Sequence, residues 1–188
     1  MTVLSTLEPS ADAELFADTL SCQLQLPAGF RAGTDAGAHS TAETLLRSLG
    51  QVEDLRSEEA SEDRGELPLL VQRMDAKLDL MLALIGRLVR QSDSGLTQSM
   101  VHWSVRGIRI SGATSHAPGT SGSVCLQPSD WLAELVQLPA TVLASASDGH
   151  VCWLWLRFAP LAPGLHDALE RHLFRLHRRQ IADARRQR

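Results

Sequence analysis

At 188 residues, with 44% hydrophobic and 21% charged side chains, the chain can bury a core of one domain plus an appendage, and its composition excludes a disordered or fibrous polymer. The net charge of −4 conceals a gradient: residues 1–66 carry 13 acidic against 4 basic side chains, and residues 163–188 carry 7 Arg against 3 acidic. No run approaches the roughly 18 uncharged apolar residues of a membrane span, and Cys22, Cys125 and Cys152 are odd in number and too scattered for a disulfide frame or a zinc site.

The cysteines fit buried thiols in a reducing compartment. The opening MTVLSTLEPSADAELF has no basic stretch leading into an apolar core, so no secretory leader is expected. The expected location is cytoplasmic, without membrane insertion.

Residues 1–17 read as mobile or loosely docked. Leu20, Cys22, Leu24 and Leu26 alternate with polar residues, the period of a half-buried strand over 20–26, which Pro27 and Gly29 are expected to stop. Arg31 to His39 reads as a loop. A short helix follows, capped by Ser40 or Thr41, with Glu43 and Glu53 on it and Leu45, Leu46, Leu49 and Val52 facing inward. Ser57 to Gly65 is a polar, acidic connector. Residues 1–65 thus form an N-terminal region, 66–92 a helix, and 96–188 a third section.

The helix over 66–92 opens near Pro68, fit for a first turn, and ends at Ser92–Gly95. With Val71 at heptad position a, Met74 is d, Leu78 a, Met81 d, Ile85 a and Leu88 d, an unbroken 4-3 spacing. Leu82 and Leu84 widen the stripe on either side, where a two-stranded coil would carry charge. A stripe so wide is poorly covered by one partner helix. Self-association into a tetramer or a dimer is therefore expected, and a core helix lying on its own domain is the competing reading.

Beyond residue 95 the period changes to 2. Met100 to Ile110 reads as one strand, Gly112 to Gly122 as a Gly/Pro/Ser loop, and Ser123–Leu126, Leu135–Ala146 and His150–Phe158 as further strands. Asp148-Gly149 marks a hairpin. In the last strand Trp153 and Trp155 share one face, which is either core or a surface awaiting a partner. A final helix runs from about Leu165 to Arg185. The predicted class is α+β, with the antiparallel strands in a small barrel or sandwich.

The segment from His102 to Gly107, HWSVRG, resembles the second signature of PilZ domains: Asp or Asn, any residue, Ser, two residues, Gly. Ser104 and Gly107 fall on matching positions, and the surrounding strands and Arg-rich closing helix resemble the family's layout over residues 99–185. The resemblance implies a cyclic di-GMP receptor domain, whose first motif, Arg with three residues and another Arg, grips the dinucleotide with guanidinium forks.

This sequence departs from both motifs. Arg87 and Arg90 are three apart, and no Arg-x-x-x-Arg occurs in residues 60–100. His102 stands at the Asp/Asn position, where a neutral imidazole offers one acceptor only. Loss of the forks removes charge-assisted bonds of on the order of 1.5–3 kcal/mol each, so little or no cyclic di-GMP binding is expected. If the ligand does bind, Arg106 and Arg109 are the candidate contacts.

Elsewhere no catalytic or metal motif stands out, and no cofactor, metal or enzyme activity is expected. His166, His172 and His177 read as lone surface histidines. The arginines of the last helix read as a solvated face or as partners for the acidic third, with nucleic-acid binding the weaker alternative. The sequence therefore predicts a non-catalytic PilZ-like adaptor that self-associates and contacts an unidentified protein, in a setting such as motility or type IV pili that only the resemblance implies.

Overall fold

The computed structural model describes residues 8–33, 38–61, 74, 78, 81, 96–112, 114–129, 134–147 and 151–186. Among these, helix α1 (Pro9–Phe16) precedes strand β1 (Ser21–Ala32) and helix α2 (Ala38–Ser61). Strands β2 (Thr97–Ser104), β3 (Gly107–Gly112), β4 (Ser121–Leu126), β5 (Val136–Ser147) and β6 (Cys152–Phe158) follow, and helix α3 (Pro163–Arg186) ends the described chain. The strands close an antiparallel barrel in the order β1-β2-β3-β6-β5-β4. This is the α+β class that the alternating patterns predict, and of the barrel and the sandwich they leave open it is the barrel, as the PilZ resemblance implies.

β1 does not stop at Pro27. It continues to Ala32 because its two halves serve different neighbours: Ser21–Ala28 pairs with β2, and Ala28–Ala32 pairs with β4. Proline, which has no N–H to donate, sits next to the change of partner, and its carbonyl accepts from the Gln127 N–H at 3.0 Å. Arg31 and Ala32, expected in a loop, are therefore strand. The stretch Met100–Ile110, expected as one strand, is a hairpin turning at Val105-Arg106.

Inward-facing residues of all six strands, among them Val101, Trp103, Ile108, Val124, Leu138 and Leu156, make one core with Leu45, Leu46, Leu165, Leu169 and Leu173 of the two long helices. α2 packs on β5 and on α3, and α3 also contacts β1 and β2. The helix of 24 residues over Ala38–Ser61 is longer than expected and absorbs the start of the predicted acidic connector. Ala42, Leu45, Leu46 and Leu49 recur at helical spacing and are buried, whereas Val52, expected inward, is 36% exposed. Buried Glu53 instead meets Arg175 Nε at 3.3 Å and Arg179 Nη1 at 3.0 Å. The acidic third and the basic tail thus meet. His172, expected at the surface, is fully buried against Trp103.

Of the heptad stripe, Met74, Leu78 and Met81 are helical and exposed by 57%, 55% and 55%. Val71, Leu82, Leu84, Ile85 and Leu88 lie outside the described residues, as do the Asp148-Gly149 turn and the stop at Ser92–Gly95. Cys22, Cys125 and Cys152 are buried and belong to no disulfide. No described helix is long and apolar enough to cross a membrane.

Candidate functional site: the outer face of β2, β3 and β6

The residues of the HWSVRG segment fall on the outside of the barrel. His102 pairs with Arg109 and Arg109 with Trp155, so three outward side chains line up across β2, β3 and β6. In neighbouring rows Gly107 is opposite Arg157, and Ser111 is opposite Trp153. In β6 the alternation gives Leu154, Leu156 and Phe158 to the barrel interior and Trp153 and Trp155 to the outside. A bulge in β5 between Val142 and Ala144 lets Val142 face the interior while Ala144 joins the outer tryptophans.

Helix α1 covers this face, contrary to the expectation that residues 1–17 are loosely placed. Asp12 is its anchor: Arg109 Nη1 lies 2.8 Å from both carboxylate oxygens, and the Trp155 indole N–H donates to Oδ1 at 2.6 Å. Arg109 is almost fully buried, with its guanidinium 5.8–5.9 Å from the ring centres of Phe16, Trp153 and Trp155. A buried cation of this kind requires an anion and an aromatic surround to offset its lost hydration. Asp12 and the tryptophans provide both.

Three residues later in α1, Leu15 is fully buried. It enters the notch left by Gly107, where an added Cβ would strike the Leu156 carbonyl oxygen and lie 2.7 Å from Leu15 Cδ2. Gly107 is thus a site of close backbone approach. Ser104 Oγ donates to the Leu15 carbonyl at 2.7 Å, and in turn receives the Arg106 and Gly107 N–H groups at 3.1 and 3.3 Å. Arg106 Nη1 donates to the carbonyls of Glu14 and Ala17 at 3.4 and 3.0 Å. Helix C-termini leave carbonyls without intrahelical partners; here Ser104 and Arg106 supply the donors.

Phe16 stacks on His102 with ring centres 3.7 Å apart, and His102 Nε2 lies 3.0 Å from Ser21 Oγ. Burial, together with the Arg109 charge, pushes His102 down to about 4, although Asp12 pulls the other way. The ring is neutral at physiological pH. Glu14 completes the contact through a more exposed pair with Arg157 at 2.9 Å.

All five residues named from the sequence as motif or possible ligand contacts, His102, Ser104, Gly107, Arg106 and Arg109, therefore converge on one face, and each touches α1. Sequence reasoning missed Asp12, Leu15 and Phe16. It flagged Trp155 and Trp153 only as a face that is either core or partner surface.

The sequence family described as an atypical PilZ domain, cyclic di-GMP receptor, matches residues 46–186. The chain belongs to this family. A pathogenic protein from Xanthomonas campestris, whose crystal structure is described as a new tetrameric PilZ domain self-assembled via an unusual helical bundle, is 77% identical; the match covers 95% of this chain and 99% of that one, with a TM-score of 0.78. The inhibitor of motility MotI/DgrA of Bacillus subtilis matches at 21% identity over 48% of this chain and 44% of its own, with a TM-score of 0.37. The PilZ domain of YcgR from Escherichia coli with c-di-GMP matches at 18% identity over 49% of this chain and 80% of its own, with a TM-score of 0.38. These last two likenesses are too distant to bear on function. No curated protein matches the chain.

Proposed function

We propose that this PilZ protein is a non-enzymatic adaptor that self-associates through its heptad helix, contacts other proteins in bacterial signalling, and does not take cyclic di-GMP as its ligand. The observation that carries this reading is the occupancy of the second-motif face by α1. Arg109 is spent on Asp12, Ser104 and Arg106 on helix carbonyls, and the Gly107 notch on Leu15. A dinucleotide would have to evict a fitted helix and would meet His102 where the motif asks for a carboxylate or carboxamide. The upstream arginines Arg87 and Arg90 also lack the motif's spacing.

Support for assembly comes from the exposed apolar side chains of Met74, Leu78 and Met81, spaced four and three apart on a helix, and from the tetrameric state of the 77% identical relative. Coiled-coil geometry built on Val71, Met74, Leu78, Met81, Ile85 and Leu88, with Leu82 and Leu84 widening the seam, accounts for apolar groups that a monomer would leave in water. Three buried cysteines outside any disulfide fit a cytoplasmic setting. Motility or type IV pili are the processes to survey first.

A second reading, a nucleotide or other anion held away from the motif, is favoured by one observation. A groove of about 340 Å³ between α2 and α3 is lined by Arg47, Arg171 and Arg175, together with Asp167. Titration calorimetry of the full chain with cyclic di-GMP tests both readings. The adaptor reading expects no saturable heat up to about 100 µM ligand. Saturable heat lost on Arg109→Ala would overturn it in favour of the motif face, and heat lost on Arg171→Ala would favour the groove. Light scattering on the same samples should give a multimer for the wild type and a folded monomer for Leu78→Glu with Met81→Glu; a wild-type monomer would remove the assembly claim.

A further inference from the structure

We infer that the outer face of β2, β3 and β6 is a receptor for a short acidic helix supplied by a partner protein, and that α1 is a resident copy of that ligand, able to leave. The inference rests on the adaptor reading and names the partner of the same site.

The face reads features that any short helix can carry. Arg109 and the Trp155 N–H take a carboxylate; the notch at Gly107 takes an apolar side chain three residues later; His102 takes an aromatic ring one residue after that. Ser104 and Arg106 take the carbonyls of a helix that ends there. The pattern read is Asp-x-x-Leu-Phe at a helix C-terminus, with a second acid, Glu14, for Arg157. Helix-in-groove recognition elsewhere uses anchors at such spacings. None of these contacts depends on α1 being covalently joined to β1.

Two observations point to exchange rather than permanent structure. The apolar cluster under α1 is small and separate from the main core, comprising buried Ala11, Leu15, Ala144, Trp153 and Trp155. The tether to β1 turns through Asp18 at φ +53°, a left-handed conformation that a residue other than glycine adopts at a cost and that relaxes once α1 lifts off. With α1 gone, Trp153 and Trp155 lie bare beside Arg109, and Arg106 and Arg157 stand towards the β2–β3 turn of the same face. The charge of that surface selects an acidic partner, and its indoles select an apolar one. A ligand offered in trans competes with an intramolecular copy whose effective concentration is in the millimolar range, so the closed protein binds weakly and an opened one binds well.

The test uses the full chain and, as probe, a fluorescein-labelled peptide of residues 8–20. In Asp12→Ala with Leu15→Asp, both changes lie on α1 and leave the barrel face intact. Fluorescence anisotropy should show the peptide binding this variant at least about tenfold more tightly than the wild type. Adding Arg109→Ala to the variant should abolish the gain. A folded variant that ignores the peptide, or binding indifferent to Arg109→Ala, overturns the inference. So does an opened variant that takes cyclic di-GMP in preference to the peptide. Should the variant not fold, the wild type supplies the test: a peptide with benzophenone in place of Phe16, at about 1 mM, should photo-cross-link within residues 100–112, and scattered or absent cross-links overturn the proposal. Failure of the adaptor reading looks different, as saturable heat with cyclic di-GMP in the unmodified chain.

Discussion

Two helical covers lie on one barrel and are held by different physics. α2 and α3 contribute Leu45, Leu46, Leu165, Leu169 and Leu173 to the same core as the strands, so removing them would open the barrel's own interior to water. α1 covers the opposite side of the strand alternation, with one deeply buried leucine and a charged anchor. Burial of a leucine contributes about 1.5–3 kcal/mol. The Asp12–Arg109 pair contributes little net beyond repaying its own desolvation. One cover is part of the fold, and the other is a bound ligand that happens to be tethered. That difference explains how a PilZ domain can hold its motif residues and yet use them on itself.

The contrast can be broken by mutation. Leu169→Asp places an unpaired carboxylate in the shared core, and the expected loss exceeds about 4 kcal/mol, enough to unfold the chain; a cooperative melt near the wild-type temperature would show that α3 is not integral.

Acid provides a second, smaller lever on the same side. Burial and the charges of Arg175 and Arg179 push His172 down to about 3. Among the described residues neither of its ring nitrogens has a hydrogen-bond partner. Its folded pKa lies below the ordinary histidine value, so the unfolded chain takes up a proton first. Stability is present above about pH 6.5 and falls as the pH drops towards 3, by up to about 4 kcal/mol. In His172→Phe that slope should flatten in denaturant titrations between pH 7 and 4, while stability at pH 7 stays near that of the wild type. An unchanged slope would move the acid sensitivity to other groups.

Asp12→Ala sharpens the comparison through its smallness. Deleting one partner of a buried pair ordinarily costs about 3–5 kcal/mol because the other charge is stranded. Here α1 can lift and return Arg109 to water, so the loss of global stability is capped at the docking energy of α1, which comprises the burial of Leu15, about 1.5–3 kcal/mol, and the cover that α1 gives to Trp153 and Trp155. A loss as large as that of a core mutation would mean that α1 cannot leave.

The sequence showed the integral half of the molecule better than the docked half. Period-2 runs in β5 and β6 and the spacing of Leu45, Leu46 and Leu49 are local signals, and the structure keeps them. The hairpin at Val105-Arg106 was also written locally: apolar residues sit at odd positions through Val105 and at even positions from Ile108, a parity change within one apparent strand. Pro27 misled because this barrel strand exchanges neighbours at Ala28, where a flat one would end. α1 left almost no local trace, since PSADAELF is short and weakly patterned, and its partners Arg109 and Trp155 stand 97 and 143 residues away. The available clue was an arginine set between Ile108 and Ile110 beside two outward tryptophans, a face that needed covering. The heptad stripe was fully legible, but of its members only Met74, Leu78 and Met81 belong to the described residues.

The most direct test of the two-cover account is native-state hydrogen exchange on the unmodified chain. The amides of Pro9–Phe16 that are hydrogen-bonded should open at a free energy several kcal/mol below those of Pro163–Arg186 around Leu169 and Leu173, and with a much weaker denaturant dependence, since undocking exposes only a small surface. If the α1 amides instead exchange only with the barrel, at the global unfolding energy and with its denaturant dependence, α1 is part of the fold and the distinction between the two covers falls.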